Sequence, residues 1–294
     1  MAKVLFVNPL IREEDDPRHV PYGMALLASI VSRQGHLVQV FDANAWRASD
    51  DVTTQVLKAD RWDVIALGGI TTAYRSIKHI VGMAKALAPQ ALVVAGGGFL
   101  TSMPRDIMRF LPQVDVGVVG EAFVSFPELL RRVDAGAPDW AAVPGLAWRN
   151  AEGRTRLNPE QPLLQDIDTL PYPAWELFPL EVYFKNSMAL YSEEGMLARR
   201  RLDVNASYGC SLICRFCFHL GIAGDLQQVA KDGEADVTFT HKRVIRYHSP
   251  RYVVDLVNCA RSRFGIDFIS LLDENVMTMH QSSVKRWLSD IARL

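Results

Sequence analysis

The chain has 294 residues, of which 49% are hydrophobic and 22% are charged, and its formal net charge is −1. A chain of this length and composition can bury a sizeable core and is long enough for about two domains. A net charge so close to zero gives no reason to expect nucleic acid or an anionic membrane surface as a partner.

Strands and helices are predicted to alternate along residues 1–136. Apolar runs predict strands at 3–7, 37–41, 63–70, 91–98 and 115–121. Apolar residues at helical spacing predict helices at 24–31, 72–88, 107–111 and 125–133. This alternation is typical of a parallel sheet that is covered by helices on both faces. We therefore expect residues 1–136 to form an α/β domain with a doubly wound, flavodoxin-like sheet.

Small and polar residues collect where the predicted strands end, namely at Gly69, Thr71, Thr72, Gly97, Gly98 and Glu121. In sheets of this kind, ligands bind beyond the carboxyl ends of the strands. Glycine lets the backbone approach a bulky ligand, and threonine can donate a hydrogen bond to it. Ordinary βα turns need glycine too, so periodicity alone leaves both interpretations open. The sequence has no GxGxxG here, and a dinucleotide site therefore has no specific support.

A connector is predicted at 137–200. Two short strand-like runs within 144–159 indicate a hairpin, and prolines alternate with large aromatic residues over 170–183. Proline prevents regular helix or strand in the second stretch, whereas its aromatic residues require burial. We expect an ordered strap that packs between two domains.

The third segment, 201–294, is predicted to begin a βα barrel. Its predicted elements are a strand at 202–207, an insertion or mobile lid at 221–245, a helix that begins with Ser249 and Pro250, a strand at 266–275 and a final helix from Ser282. The first strand leads into the stretch YGCSLICRFCFH at 208–219. In βα barrels the chemistry lies at the carboxyl ends of the strands, which is where this stretch is expected.

Three of the four cysteines, Cys210, Cys214 and Cys217, lie within eight consecutive positions. Thiolates at this CxxxCxxC spacing can bind three irons of a 4Fe-4S cluster and leave the fourth iron without a protein ligand. The alternative is a structural zinc site in which His219 is the fourth ligand. Cys259 falls on the predicted helix and is interpreted as structural.

The expected location is the cytoplasm. The cysteine pattern does not resemble a disulfide framework and fits a reducing compartment. The N-terminal segment MAKVLFVNPL lacks the long apolar region of a signal peptide. No apolar run approaches the roughly 20 residues that cross a bilayer, so no membrane partner is expected.

The cysteine motif resembles the signature of the radical S-adenosylmethionine (SAM) superfamily, in which an aromatic residue precedes the third cysteine. Phe216 occupies that position here. The resemblance implies that Cys210, Cys214 and Cys217 bind a 4Fe-4S cluster and that Phe216 packs near the adenine of SAM.

The same resemblance assigns a role to the end of the second barrel strand. In this chain the strand ends in Asp273, Glu274 and Asn275, which are expected to contact the methionine part of SAM. A carboxylate suits the SAM ammonium group, and an amide can pair with either of the charged groups. The alternative is that these polar residues only cap the helix that follows.

The N-terminal segment resembles the cobalamin-binding domain that precedes the barrel in many radical SAM enzymes. The similarity lies in VNPL at 7–10, the run at 20–36, the triple glycine at 96–98 and DVGVVGE at 115–121. It implies that the nucleotide tail of cobalamin lies near the turns at 68–72 and 96–98. The corrin ring is then expected over the end of the sheet, facing the second domain.

One cobalamin motif is missing. The DxHxxG loop, whose histidine binds cobalt in many cobalamin proteins, has no match, and the nearest pair, Asp16 and His19, is one residue too far apart. His19 can be interpreted as a cobalt ligand or as a solvated loop histidine, and the second reading is favoured. Radical SAM members of this class commonly lack the motif.

The resemblance implies a cobalamin-dependent radical SAM enzyme. Such an enzyme reductively cleaves SAM at its 4Fe-4S cluster to a 5′-deoxyadenosyl radical, here for methylation of an unactivated carbon. An alternative is a radical cyclase or ring-rearranging enzyme of the same family. The substrate is expected to be a small molecule or a peptide, and the electron donor a flavodoxin or ferredoxin.

Only two of the about six βα units of a radical SAM barrel can be counted in the sequence. The expectation is a chain that is C-terminally truncated or is completed by another polypeptide. A further alternative is a non-catalytic cobalamin-binding or scaffold subunit.

Overall fold

The computed structural model describes residues 1–136, 138–187, 198–210, 226–231, 234–239, 244–273 and 286–294. Within these residues, one sheet of seven strands dominates the N-terminal half. Its strands are β1 (Lys3–Asn8), β2 (Leu37–Asp42), β3 (Val64–Gly68), β4 (Leu92–Gly96), β5 (Val116–Val118), β6 (Leu146–Arg149) and β7 (Thr155–Leu157).

The strand order is β2-β1-β3-β4-β5-β6-β7, and β1 to β5 are parallel. The chain moves from β1 outward to β2, and then returns to continue on the other side with β3. This reversal between β1 and β3 is the switch point of a doubly wound sheet. The α/β, flavodoxin-like class that the sequence predicts is confirmed. The predicted hairpin supplies β6 and β7, which pair antiparallel at the edge of this same sheet, while the expected domain boundary near residue 136 stays a prediction.

Helices cover both faces of the sheet. They are α1 (Tyr22–Arg33), α2 (Ala43–Trp46), α3 (Asp50–Lys58), α4 (Tyr74–Leu87), α5 (Gly98–Ser102), α6 (Pro104–Phe110) and α7 (Ala122–Asp134). Successive strand residues point to opposite faces. Leu5 and Val7 of β1 therefore pack in a core with α4, whereas Val4 and Phe6 pack in a second core with α1 and α7.

The proline and aromatic stretch of the connector, 170–183, is packed as the sequence predicts. Trp175 and Tyr183 are each only 1% exposed and lie in a hydrophobic cluster that also includes Leu202 and Leu256 of the second half. The described part of the connector includes α8 (Leu180–Ser187). Burial of the aromatic side chains therefore fixes the strap against both halves of the chain.

The C-terminal half consists of shorter pieces. The described ones are β8 (Arg201–Val204), β9 (Ser207–Tyr208), β10 (Leu226–Lys231), β11 (Glu234–Phe239), β12 (Arg246–Tyr247), α9 (Pro250–Phe264), β13 (Phe268–Leu271) and α10 (Trp287–Arg293). β13 pairs parallel with β8, and α9 directly precedes β13 along the chain. This βαβ unit is the arrangement expected for the beginning of a βα barrel. As predicted, Ser249 caps α9, since its hydroxyl accepts a bond from the Tyr252 amide.

Within the segment 221–245, which was expected to be an insertion or mobile lid, the structure describes two paired strands. β10 and β11 form an antiparallel hairpin in full register. Arg105 of α6 donates to the Lys231 carbonyl at 2.7 Å, and Gln228 donates to the Leu157 carbonyl at 3.3 Å. The backbone pairing forms the hairpin, and the side-chain bonds hold it against α6 and β7 at the edge of the first sheet. Among the helices in the described part of the chain, none has the length and apolar content needed to span a bilayer.

Candidate functional site

The two predicted glycine turns meet at the carboxyl edge of the sheet. The Phe99 amide donates to the Gly69 carbonyl at 3.1 Å, which joins the turn after β3 to the turn after β4. Gly97 has a φ of +82°, and a Cβ placed on it would lie 3.0 Å from the Gly69 nitrogen and carbonyl oxygen. A larger residue at 97 would therefore be strained and would push the two turns apart.

The predicted threonines stand at the same edge. Thr71 and Thr72 begin a single 3-10 turn, Thr71–Ala73, and both are exposed. Gly98 starts α5 and is buried. The structure therefore brings Gly69, Gly97 and Gly98 and the two exposed threonines together at one edge of the sheet.

A buried polar network lies at the other end of this edge, where β1 and β2 finish side by side. The Asn8 amide donates to Asp42 Oδ1 at 2.8 Å, and the Tyr183 hydroxyl donates to Asp42 Oδ2 at 2.5 Å. The Ala45 amide also donates to Oδ1, so Asp42 caps α2. Burial raises the pKa of the Asp42 carboxyl above its usual value, although these hydrogen bonds oppose the shift. The network ties α8 of the connector to the edge of the sheet.

Sequence analysis did not single out Asp42 or Tyr183. Asp42 falls at the end of a predicted strand, which is the signal that could have found it. No pattern in the sequence links it to Tyr183, which lies 141 residues away.

Glu121 follows β5, and its carboxylate is buried in an ion pair. Arg246 Nη2 donates to Oε1 at 2.6 Å and Nη1 donates to Oε2 at 3.0 Å, while the Leu164 amide donates to Oε2 at 3.2 Å. The structure thus places this predicted cofactor-binding carboxylate against β12 of the second half. Arg246 was not identified from the sequence; it lies directly after the segment 221–245, which was expected to be an insertion or mobile lid.

Cys210 comes two residues after β9, next to an unusual glycine. Gly209 has a φ of +103°, and a Cβ on it would overlap the Val244 carbonyl oxygen. Only glycine therefore allows the strand that leads to Cys210 to approach the 244–247 segment so closely. The other predicted cluster and SAM residues, Cys214, Phe216, Cys217, Glu274 and Asn275, lie outside the described residues, as does His219 of the zinc alternative.

Asp273 follows β13 and supports the strand that leads to Cys210. Its Oδ2 accepts a bond from the Ala206 amide at 3.1 Å, and its Oδ1 accepts one from the Ser207 hydroxyl. Burial raises the pKa of this carboxyl above its usual value, against the effect of those bonds. Two carboxylate oxygens offer about four lone-pair sites, so these bonds leave acceptor capacity, and the expected contact with SAM stays a prediction.

His19 lies in the loop between β1 and α1. Its Nδ1 is 2.6 Å from Asp203 Oδ2 on β8, and Arg201 Nη2 donates to Asp203 Oδ1 at 2.7 Å. The His19 side chain is 45% exposed, whereas that of Asp203 is 4% exposed. The loop histidine is therefore held by a carboxylate of the second half, and binding of cobalt by His19 stays the less favoured alternative.

Comparison with known proteins places these features in a family. The B12 binding domain family matches residues 10–130. The chain is 24% identical to the cytidylyl-2-hydroxyethylphosphonate methyltransferase of Streptomyces wedmorensis. The match covers 93% of this chain and 55% of that protein. The anaerobic magnesium-protoporphyrin IX monomethyl ester cyclase of Rubrivivax gelatinosus is 23% identical over 99% of the chain and 48% of that protein.

A solved structure shares the fold over the whole chain. It is the radical SAM methyltransferase TsrM from Kitasatospora setae with cobalamin and a [4Fe-4S] cluster bound, with a TM-score of 0.69 and 19% identity over 100% of this chain and 51% of that one. The chain spans about half the length of the first curated relatives it matches, between 48% and 55% of each. Residues 10–130 therefore match a B12-binding domain, and the whole chain shares the fold of a radical SAM methyltransferase that binds cobalamin and a [4Fe-4S] cluster.

Proposed function

We propose that this chain forms the cobalamin-binding and cluster-binding part of a radical SAM methyltransferase that acts on an unactivated carbon. The observation that carries the proposal is the placement of the glycine edge and the Cys210 strand. Glu121 at the end of β5 binds Arg246 of β12, and β12 pairs with β9, directly before Cys210. The sheet edge and the cysteine strand thus belong to one connected site.

The chain's own residues suit a large, flat cofactor at the sheet edge. Gly69 and Gly97 approach each other without side chains, and Thr71 and Thr72 are exposed beside them. In the proposal, these residues and Gly98 receive the nucleotide part of cobalamin. The Asn8, Asp42 and Tyr183 network holds the neighbouring strand ends fixed, so the edge is organised before the cofactor binds.

The cysteines have a separate task. Cys210, Cys214 and Cys217 are proposed to bind three irons of a 4Fe-4S cluster, with Phe216 beside the adenine of SAM. Asp273 holds the approach strand through Ala206 and Ser207. The cluster and SAM supply one-electron chemistry, and cobalamin supplies a methyl carrier. The proposal includes a reducing, cytoplasmic setting and a flavodoxin or ferredoxin as electron donor, because thiolates must stay available to iron.

Cofactor loading of the full chain tests the proposal directly. The chain is reconstituted anaerobically with iron, sulfide and hydroxocobalamin, and bound iron, acid-labile sulfide and the visible spectrum of cobalamin are measured. Cys214→Ala is expected to lose the cluster. Cys259→Ala is the matched control, because Cys259 lies on α9 away from the motif, and it is expected to load normally. Bound zinc without labile sulfide in the wild-type chain would contradict the proposal.

Turnover then distinguishes the possible reactions. With SAM and dithionite, the loaded chain is expected to form 5′-deoxyadenosine. Methyl-deuterated SAM reports methyl transfer, because the label then appears in the product or on cobalamin.

The second candidate is a radical cyclase, since a cyclase is among the relatives that match over nearly the whole chain. It predicts 5′-deoxyadenosine without transfer of the label. Loading without SAM cleavage would favour a cobalamin-binding scaffold.

A further inference from the structure

We propose that Glu121 is a positioning residue, through which the cobalamin-binding domain sets the geometry of the strand that carries Cys210. The inference rests on the proposed function only in that Cys210 is taken as a cluster ligand. Its first observation is the burial of the ion pair: the side chains of Arg246 and Glu121 are only 5% and 7% exposed. Both ends of the guanidinium fork contact the carboxylate, an arrangement that fixes direction as well as distance.

Glu121 itself is held by the first half of the chain. It directly follows the turn after β5 and occupies the N-cap position of α7. The Gly120 amide donates to the Thr101 hydroxyl oxygen at 3.0 Å, which fixes the turn against α5. The carboxylate is thus presented from a rigid corner of the cobalamin-binding domain, one strand away from the glycine edge.

Arg246 transmits this position to the cysteine strand by two routes. In the antiparallel pair of β12 and β9, Arg246 stands opposite Tyr208 and Tyr247 opposite Ser207. The Arg246 guanidinium carbon also lies 5.6 Å from the centre of the Tyr208 ring. Close to these contacts, the backbone of Gly209 lies against the Val244 carbonyl oxygen, which leaves no room for a side chain at position 209.

The first turn of α7 contacts the same tyrosine directly. Phe123 packs edge-on against Tyr208, with ring centroids 5.4 Å apart. Tyr208 therefore contacts both the Arg246 guanidinium and the Phe123 ring, and it lies only two residues before Cys210. A displacement of Glu121 would be passed to Cys210 through this short path.

The charge balance explains why such a pair suits positioning. A buried pair gains little net stability, because both charges lose water, but removing one partner leaves an uncompensated buried charge. The ion pair therefore fixes the relative position of Glu121 and Arg246, even though it contributes little to the free energy of unfolding. The chain offers a contrast in Glu181 and Arg200, which form a similar two-bond pair in which the Glu181 side chain is 76% exposed. Exposed pairs of that kind contribute little.

The test compares Glu121→Gln and Arg246→Lys with Glu181→Gln in the full, anaerobically reconstituted chain. Glu121→Gln removes the charge but keeps the shape, Arg246→Lys keeps the charge but loses the fork, and Glu181→Gln removes a matched charge elsewhere. The readouts are iron and sulfide content, the visible spectrum of bound cobalamin, the EPR spectrum of the reduced cluster and its midpoint potential.

We expect both site variants to keep the cluster and cobalamin but to shift the EPR g values and the midpoint potential. Glu181→Gln should leave both unchanged. A shift in Arg246→Lys separates geometry from the plain loss of a charge. Unchanged EPR spectra and potentials in both site variants would overturn the inference, and so would a joint loss of cluster, cobalamin and cooperative unfolding, which indicates a purely structural contact.

Amide hydrogen exchange is measured on the metal-free chain, so that this inference is tested independently of whether a cluster binds. Glu121→Gln is expected to lose amide protection in peptides that cover β9 and β12, but not in peptides that cover α4. A wild-type chain that takes up no cluster would refute the proposed function, whereas unaltered protection in β9 and β12 would refute the mechanical link itself.

Discussion

His19 and Asp203 join the two halves of the chain across 184 residues, with Nδ1 of the imidazole 2.6 Å from Oδ2 of the carboxylate. The histidine lies on the loop after β1, and the aspartate lies on β8, which leads toward the cysteine motif. Because Asp203 also binds Arg201, it is a buried carboxylate shared between two partners. The pair places the β1 loop of the cobalamin-binding domain against the first strand of the second half.

Asp203→Asn is expected to lower the free energy of unfolding by about 2–3 kcal/mol, because hydrogen bonds to a charged group contribute about 1.5–3 kcal/mol each. Urea unfolding followed by far-UV circular dichroism measures this change. Asp50→Asn is the control: Asp50 pairs with His79, but both side chains are more than half exposed, and the expected change is within about 0.5 kcal/mol. Equal changes in the two variants would show that burial gives the Asp203 contact no special weight.

The glycine edge gives a second prediction. Gly97→Ala should weaken cobalamin binding at least tenfold, which corresponds to about 1.4 kcal/mol, because the new Cβ separates the two turns. Titration of the visible absorption of hydroxocobalamin measures the affinity. Gly153→Ala is the matched control, since Gly153 also has a positive φ, of +74°, but has nothing within 4 Å of its Cβ position. The control shares the backbone strain, so equal affinities in the two variants would remove Gly97 from the proposed site.

The sequence predicts the sheet well because its signals are local. Runs such as those of β1, β3 and β4 are buried on both faces, and continuous apolar character is typical of parallel strands. The short helices α2 and α3 were not predicted, since α2 has only four residues and α3 only nine, of which Thr53 and Leu57 are buried. They depend instead on caps by Asp42 and Ser49, which are visible only once the end of β2 is known.

The site is less predictable because its contacts join distant residues. Gly69 and Gly97 could be proposed from their places after strands. The partners of Glu121 and Asp203 could not, because Arg246 and His19 lie 125 and 184 residues away from them. The polar segment 221–245 was predicted as an insertion or mobile lid, since the contacts of β10 and β11 with Arg105 and Leu157 join residues that are distant in the sequence. Long-range ion pairs leave no periodic trace in a single sequence.

The network at the ends of β1 and β2 gives a third prediction. Tyr183→Phe keeps the buried ring but removes the donor to Asp42 Oδ2, and it is expected to lower the free energy of unfolding by about 1.5–3 kcal/mol. The pKa of Asp42, already raised by burial, should rise further because a bond to its charged form is lost. Tyr252→Phe is the control, since its hydroxyl makes a 3.3 Å bond to the neutral Pro171 carbonyl. A larger loss in the control would show that the Asp42 network is not the stronger contact.

The buried imidazole of His248 is expected to make the free energy of unfolding depend on pH. Its ring is buried, stacks on Tyr252 with centroids 3.9 Å apart, and has Nδ1 2.9 Å from Asp168 Oδ1. Burial lowers the pKa of His248 below its usual 6.5, and nearby Arg246 acts in the same direction, although Asp168 opposes the shift. The neutral ring is therefore favoured in the folded chain. The unfolded chain binds the proton more readily, so the stabilising contribution is complete above about pH 6.5 and is lost as the pH falls through the lowered folded value.

Urea unfolding at pH 7.5 and at pH 5.5 tests this dependence. The wild-type chain is expected to lose stability on acidification with a slope of at most about 1.4 kcal/mol per pH unit from this group. His248→Gln should flatten the slope, because glutamine keeps a polar group but does not titrate. His79→Gln removes an exposed histidine and should leave the slope as in the wild type. Asp168, whose pKa is lowered by its bonds to Ser249 and His248, stays charged at both pH values. A slope that survives His248→Gln would therefore have to arise from another group.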